Sequence, residues 1–404
     1  MSSGPPKIAI IGSGIAGLTL ACVLYRGGIP YTVYEAEVSL TSRKQGGPVN
    51  IHYERGEKVL RALGLFDIYQ KSMYTAGCEV NTIGDKNGKL YIHHGCDDEG
   101  TWYPDGEAPL VDRIEIRRLL LGAIPTESVC WNCKILDILP RLDNTFDLKF
   151  ADGSSENAFD LVVGADGAWS KARPLVSPAK PYYAGSSYLE TEIRDISAAP
   201  SAVLDLMKRG SYYFPDTSTT LVAQNDGSRI WIYPFVHNVP ETWVKEPGFD
   251  LKDIPTAKKI FLERFWSGWS DGLRAVIVNS DTDLTPRALY MLPVGHKWQH
   301  RAGITLIGDA AHLMTPWGGA GGNLAMEDGY ELGEAILVQG RKYHWSKGAK
   351  FVNHRGLDAA VEGFETAMFP RAEKEADRTE RNLELFRSEG AAQKIFGFIK
   401  SMSL

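Results

Sequence analysis

Three glycines and one carboxylate near the start of the chain carry the first recognisable chemistry. Gly12, Gly14 and Gly17 follow the pattern Gly-x-Gly-x-x-Gly, and Glu35 comes 18 residues after the last of them. The apolar run Ile8-Ala9-Ile10-Ile11 just before reads as a buried parallel strand. Beyond the glycines, Leu18, Leu20, Ala21, Val23 and Leu24 keep helical spacing until Gly27-Gly28. Tyr31-Thr32-Val33-Tyr34 then reads as a second strand, with Glu35 and Ala36 at its end. In such a unit Gly12 permits a tight turn, Gly14 lets the backbone approach a pyrophosphate, and Gly17 lets helix pack on strand. The helix N-terminus adds free N–H groups and a partial positive charge. A carboxylate at the second strand's end accepts ribose hydroxyls and repels a 2′-phosphate. The cradle is therefore expected to hold FAD or NAD and not NADP.

A second candidate site lies far along the chain. Ile304-Thr305-Leu306-Ile307 is a short apolar strand that runs into Gly308-Asp309-Ala310-Ala311-His312. Pro316-Trp317-Gly318-Gly319-Ala320-Gly321-Gly322-Asn323 follows and opens a helix expected to reach Val338. Asp309 at a strand end can accept a sugar hydroxyl, and the glycine loop delivers a helix N-terminus to whatever is bound. Between the two sites, Leu161-Val162-Val163-Gly164 ends in Asp166-Gly167, with Ser170 and Arg173 in the turn beyond.

The remaining segments must position these. Residues 58–69 carry Val59, Leu60, Leu63 and Phe66 at helical intervals, and 78–103 alternate like strands with turns at 84–88 and 95–100. A helix opens after Asp112, a plausible N-cap with Glu115 three residues on. Residues 128–134 and 146–150 read as paired strands. From 182 to 292 strand signals dominate, broken by a helical piece over 257–269. In it, Trp231, Tyr233 and Phe235 alternate with Ile230 and Ile232, so that strand is apolar on both faces. One face packs a core and the other packs core again or lines a cleft. Near the end, Phe369, Ala372, Ala376, Thr379, Leu383 and Phe386 form the seam of one long helix, closed by Gly390 and a short apolar coda.

Composition narrows the classes. The chain has 404 residues, 44% hydrophobic and 23% charged, which suits a globular protein of about two to three domains. A net charge of −6 gives no electrostatic case for nucleic acid or an anionic membrane. The first residues are too short and polar for a signal peptide, and no run is long enough to span a bilayer. Five cysteines, odd and sparse, suggest free thiols in the cytoplasm. Cys130-Trp131-Asn132-Cys133 lacks a second pair, and His93, His94, Cys96, Asp97 and Asp98 sit in a polar turn, so no metal is expected.

Together, residues 12–35, Gly46-Gly47-Pro48-Val49-Asn50, Arg113 with Arg117, residues 160–173, residues 308–328 and the long C-terminal helix resemble a known family. It is the single-component FAD-dependent aromatic (group A) monooxygenases of the para-hydroxybenzoate hydroxylase type. Among these, the tetracycline-inactivating flavin monooxygenases look most similar. The resemblance implies an α/β + β architecture: a Rossmann-like FAD-binding domain (1–77, 105–178 and 286–340), a sheet-rich substrate domain (78–104 and 179–285) and a C-terminal helical segment (341–404). It implies that Gly12, Gly14, Gly17, Glu35 and Ala36 hold the ADP half of FAD, and that Arg113, Arg117 and Asp309 hold the pyrophosphate and ribityl chain. Asn50, Gly321, Gly322 and Asn323 would face the flavin ring, Asp166 would serve both FAD and the reducing nucleotide, and Arg43 would meet NADPH. Glu190, Tyr212, Trp231, Tyr233 and Pro316 would wall the substrate pocket.

The implied reaction is NAD(P)H-driven. Reduced flavin traps O2 as a C4a-hydroperoxide and passes one oxygen atom to an aromatic or polycyclic small molecule, by hydroxylation, epoxidation or Baeyer–Villiger insertion. Neither metal, nucleic acid nor membrane span is implied, and a monomer or weak homo-oligomer would suffice. The chain departs from its tetracycline-degrading relatives at Asn50, Glu190, Ser211 and Tyr212, which weakens the case for tetracycline itself. A flavin oxidase or dehydrogenase without oxygen transfer is the rival enzyme; a non-catalytic nucleotide-binding protein is the rival from another class.

Overall fold

Five short strands with no polar face lie side by side, all parallel, in the order Ile304–Leu306, Leu161–Gly164, Ile8–Ile11, Tyr31–Tyr34 and Val129–Cys130. The computed structural model describes residues 5–43, 46–73, 80–94, 110–246, 249–345 and 354–402. Ile8–Ile11, the middle strand, is buried along its whole length, as a strand covered on both faces must be. Register matters most here. Ile11 lies opposite Gly164 and Tyr34, and Gly164 lies opposite Leu306. Three chain segments therefore leave the sheet at one edge, held by Ala165 N–H to Ile11 O (2.8 Å), Ile307 N–H to Gly164 O (2.9 Å) and Gly12 N–H to Tyr34 O (2.8 Å).

Glycines let the layers above approach closely. A Cβ on Gly17 would stand 2.2 Å from Gly12 O, and one on Gly12, at φ +104°, would stand 2.4 Å from Ala165 O. Helix Ile15–Arg26 also packs backbone to backbone on helix Gly321–Lys342. A Cβ on Gly329 would meet Ala16 O at 2.4 Å, and one on Gly333 would meet Val23 Cβ at 2.6 Å.

A seven-stranded sheet runs in the order Thr285–Met291, Tyr182–Ile193, Ile230–His237, Thr219–Asn225, Gly210–Pro215, Asn81–Gly84 and Leu90–His94. Its Ile230, Ile232, Leu221 and Phe214 share a core with Phe261, Trp266 and Leu273. Trp231, Tyr233 and Phe235 join Trp317 and Leu383 in a separate cluster. The strand apolar on both faces thus packs a core on one and faces the first sheet's loops with the other.

Several expectations need correcting. Phe146–Phe150 pairs with Ile135–Pro140, while Val129–Cys130 joins the parallel sheet beside Tyr31–Tyr34. The helix expected over 257–269 spans Ile254–Phe265, and Ser270, whose hydroxyl accepts from Leu273 N–H, caps a second one, Asp271–Val278. The helix expected over 58–69 is broken at Leu63-Gly64, where Gly64 takes φ +67°. Thr285–Met291 pairs with Tyr182–Ile193, so the second sheet extends past the boundary expected at 285. The tail helix is longer than its seam, His354–Phe386, and the apolar coda is itself a helix, Ala391–Met402. Asp112 caps its helix through Ile114 N–H, but Glu115 turns to Arg118 and does not close a capping box. The turn expected at 95–100 and the side chains of His93 and His94 lie outside the described residues. Among the described residues, no helix is long and apolar enough to cross a membrane.

Two glycine substitutions test this packing with opposite signs. Gly329→Val drives side-chain atoms into the Ala16 and Leu20 backbone and should cost about 3 kcal/mol or more. Gly363, inside the long helix with nothing near its missing Cβ, should gain about 1 kcal/mol as Gly363→Ala. Urea unfolding of both variants measures this; equal effects would contradict the packing described.

A candidate dinucleotide and substrate cleft at the strand ends

At the second strand's end Glu35 is buried, and its carboxylate already has company. Oε2 accepts Ser13 N–H and the Ser13 hydroxyl, both at 2.7 Å, and Oε1 accepts Glu37 N–H at 2.9 Å. A carboxylate has about four acceptor positions, so Glu35 keeps room for one further hydroxyl and not the two that its isolated position suggests. Ala36 beside it is exposed. Arg117 departs from expectation. It is 4% exposed and donates to Ser13 O (3.0 Å), the Ser13 hydroxyl (2.9 Å) and Glu37 Oε2 (3.2 Å). Its guanidinium braces the glycine turn from behind and is not offered to a pyrophosphate. Arg43 stands largely exposed and ion-pairs with Glu37, two residues beyond Glu35.

The glycines at the two helix starts leave room in front of them. Helices Ile15–Arg26 and Gly321–Lys342 both start without a side-chain cap or an acidic first turn, so their leading N–H groups remain for a ligand. A Cβ on Gly14 would meet nothing nearer than 3.9 Å, and one on Gly321 nothing within 4 Å. Gly322 faces Val49 at ordinary contact distance. Asp309 is exposed and makes no side-chain hydrogen bond among the described residues. Asp166 donates nothing and accepts Lys171 N–H at 2.7 Å through Oδ2, while Oδ1 is buried without a partner. Burial pushes its carboxyl above the usual range, against Ser170, Lys171 N–H and Arg173. A buried, unpartnered carboxylate oxygen beside a cleft asks for a ligand donor.

Two side chains hold these loops in place. Arg173 is 3% exposed and donates to the carbonyls of Ala168 (2.9 Å), Ala310 (2.9 Å) and Asp309 (3.2 Å). It ties the loop after Leu161–Gly164 to the one after Ile304–Leu306. Asn323 is fully buried; its amide donates to Asn50 O (2.8 Å) and its oxygen accepts His52 N–H (2.8 Å). It therefore staples strand Val49–Asn50 to the helix start.

The wall opposite the glycine loops comes from the seven-stranded sheet. Trp231, Tyr233 and Phe235 line it with Tyr188, Tyr213, Trp317 and Phe386. Tyr233 reaches Gly47, where a Cβ would stand 1.5 Å from its hydroxyl oxygen. Burial, with Tyr188 and Glu190 adding and Arg113 opposing, holds the Tyr233 phenol well above its ordinary value. Arg113, exposed at its helix start, thus lies near the tyrosines of this wall. Glu190 is 6% exposed and accepts Arg287 Nε–H at 3.0 Å. Pro316 is exposed in the short turn Pro316–Gly318. Tyr212 is misassigned. It pairs with Ala223 and stacks near Phe214 in the opposite core, whereas Tyr213 pairs with Val222 and shares the face of Tyr233. One residue of parity separates wall from core.

Beneath the Gly308 turn lies a charge network that motif reading passed over. Asp328 is fully buried and accepts Gly308 N–H (2.9 Å) and Arg371 (3.0 Å), with His312 Nε2 at 2.6 Å. Arg371 also donates to Glu331 at 2.6 Å. Spacing of His312 and Asp328 was visible, but Arg371 lies 43 residues beyond Asp328 and gives no local signal.

Comparison with known proteins gives the family and the fold. The FAD binding domain family matches residues 150–341. Monooxygenase asqM of Emericella nidulans (strain FGSC A4 / ATCC 38163 / CBS 112.46 / NRRL 194 / M139) is 30% identical, over 96% of each chain. Klebsiella pneumoniae HpxO, solved with FAD and uric acid, superposes with a TM-score of 0.75 at 21% identity, over 98% of this chain and 93% of its own. Tetracycline destructase Tet(51) superposes at 0.66 with 20% identity, over 100% of this chain and 96% of its own.

The buried network sets a pH signature. For His312 burial opposes the charge, yet Asp328 outweighs it and raises the imidazolium above its ordinary value. For Asp328 burial would raise the carboxyl, but His312, Arg371 and Gly308 N–H hold it low. The histidine term is full below its unfolded value of about 6.5 and fades as pH rises through the raised folded one. The aspartate term is full above about 3.9 and fades as pH falls through the lowered folded one. Their joint contribution should peak in weakly acidic solution. Asp328→Asn should lose about 3–5 kcal/mol there and flatten the profile in urea melts from pH 4 to 9.

Proposed function

Because the chain belongs to the FAD-dependent monooxygenases, we propose that its cleft takes FAD with the adenosine at Glu35, the pyrophosphate before helix Ile15–Arg26 and the flavin ring before helix Gly321–Lys342. The substrate is a flat aromatic or polycyclic small molecule lodged against Trp231, Tyr233 and Pro316. The observation that carries this reading is the shared edge of strands Ile8–Ile11, Leu161–Gly164 and Ile304–Leu306, which brings two uncapped helix starts and two available aspartates to one cleft.

When bound, FAD supplies electron storage and O2 activation, with NADPH or NADH as the passing reductant. The chain's own residues bind, orient and exclude water. Gly14 leaves room for phosphate, and Asp309 accepts a hydroxyl of the ribityl chain. Asp166 accepts through its unpartnered Oδ1. The start of helix Gly321–Lys342 favours negative charge on the ring's pyrimidine side. Trp231, Tyr233, Phe235 and Trp317 keep the reacting region dry. Glu190, fixed by Arg287, gives the wall a polar mark. Arg43, exposed at the rim, is our candidate for the phosphates of the passing nucleotide. The reading calls for no metal ion and works in a monomer or weak homo-oligomer. Sparse cysteines favour the reducing cytoplasm.

Gly14 adopts φ −71°, open to any residue. Gly14→Val should therefore fold, yet bind FAD roughly a hundredfold more weakly (about 2.7 kcal/mol) as the added methyls fill the phosphate space. Wild-type protein should purify yellow and oxidise NADPH or NADH in air. One member of a panel of phenols, polyketides and indoles should speed that oxidation and return heavier by one oxygen atom. A colourless protein that cannot be loaded with FAD would sink the reading.

A further inference from the structure

The long helix His354–Phe386 lies beyond the matched FAD-binding segment, yet one of its faces grips the cleft from outside. Glu375, Arg378, Thr379 and Asn382 follow one another at helical spacing toward the turn Pro316–Gly318. Asn382 donates its amide to Trp317 O at 2.8 Å, and Arg378 donates to Gly318 O at 2.8 Å. Thr379 packs under Gly318, where a Cβ would stand 2.5 Å from its hydroxyl. Glu375 is 6% exposed and holds Arg378 through Oε2 at 2.8 Å. Its Oε1 accepts Arg55 at 2.7 Å.

Arg55 belongs to the other arm of the cleft. It sits in the π-helical turn Tyr53–Glu57, directly after strand Val49–Asn50 and His52. Asn323 joins the same two arms from within, through Asn50 O, His52 N–H and Gly319 O at 3.3 Å. The arms are thus tied twice: inside by an amide, and outside by the chain Arg55–Glu375–Arg378–Gly318. Peptide planarity gives the outer tie a direction. With the Trp317 carbonyl turned to Asn382, the N–H of the same peptide unit, that of Gly318, points away from the helix.

We propose that Glu375, Arg378 and Asn382 form a clamp that sets the spacing of the 47–57 and 315–323 arms, and so positions the flavin ring between them. They are positioning residues, acting through the backbone of the turn and touching no reacting atom. The proposal rests on the FAD reading above. The adenosine end lies at Glu35, on different elements, so clamp and affinity separate: loosening the clamp frees the ring while the nucleotide stays anchored.

Asn382→Ala and Arg378→Met, each loaded with FAD, test this without a substrate. FAD affinity should stay within about twofold, while bound-flavin fluorescence depolarises faster than in wild type. Dye-equilibrium titration should show reduced FAD losing about threefold in affinity relative to oxidised FAD, as the ring loses its register with the helix start. Asn382→Gln, which keeps an amide donor, should recover part of both signals. Variants that melt earlier but match wild type in flavin depolarisation and potential would overturn the clamp and leave a structural brace. A wild type that takes up no FAD would fail the cofactor reading, and the clamp with it.

Discussion

The register of three parallel strands is the constraint on which the cleft depends. Ile11, Gly164 and Leu306 are cross-strand neighbours, so the residues that follow them cannot avoid one another. Hydrogen bonds between strands cannot slip by one place without moving every packed side chain to the opposite covered face. Once the sheet forms, Gly12, Asp166 and Asp309 are delivered to one edge with no further instruction. What remains is to keep them from filling that edge, and glycine does it. At Gly12 and Gly17 a side chain would strike backbone; at Gly14 and Gly321 its absence leaves space. The same residue type serves two needs, close packing behind the loop and vacancy in front of it.

Loops with so little side chain need bracing from elsewhere, and the chain uses buried charge. Arg117 grips Ser13 from the back, Arg173 collects four carbonyls from two loops, and Asp328 holds Gly308 N–H with His312 and Arg371 around it. A buried ion pair adds little net stability against an apolar substitute, yet breaking one side is expensive. Its value here is geometric. Guanidinium groups present several donors in a rigid fork, which suits fastening carbonyls that have no helix or strand partner.

This division explains what could be read from the chain alone. Glycine spacing, apolar strands and the acids at their ends are local signals, and they disclosed the cofactor cradle and the strand–helix–strand start. Partners far apart in sequence left no such trace. Arg173 and Ala310 are 137 residues apart, and Arg117 and Ser13 are 104 apart. The family resemblance singled out Arg117, but its orientation was not legible, because Glu37 and Ser13 claim it only in three dimensions. Tyr212 shows a different failure. In Ser211-Tyr212-Tyr213 two aromatic neighbours alternate across the sheet, and nothing local says which one faces the cleft. Pairing with Val222 decides for Tyr213.

The two walls of the cleft consequently obey different rules. The cofactor wall is built from backbone, held by glycines and by cations that read carbonyls, so it tolerates wide change in everything else. The superposition with a tetracycline destructase at 20% identity shows that the fold itself is kept across wide sequence change. The opposite wall is built from side chains on one face of a sheet: Trp231, Tyr233, Tyr213, and Glu190 paired with Arg287. A strand can exchange any of these outward-facing residues without disturbing the core on its other face, because alternate residues separate the two. The residues of this wall can therefore change while the core behind them stays put. The walls touch where the Tyr233 hydroxyl meets Gly47 and where Phe235 packs on Trp317, and there a change on one wall is felt on the other.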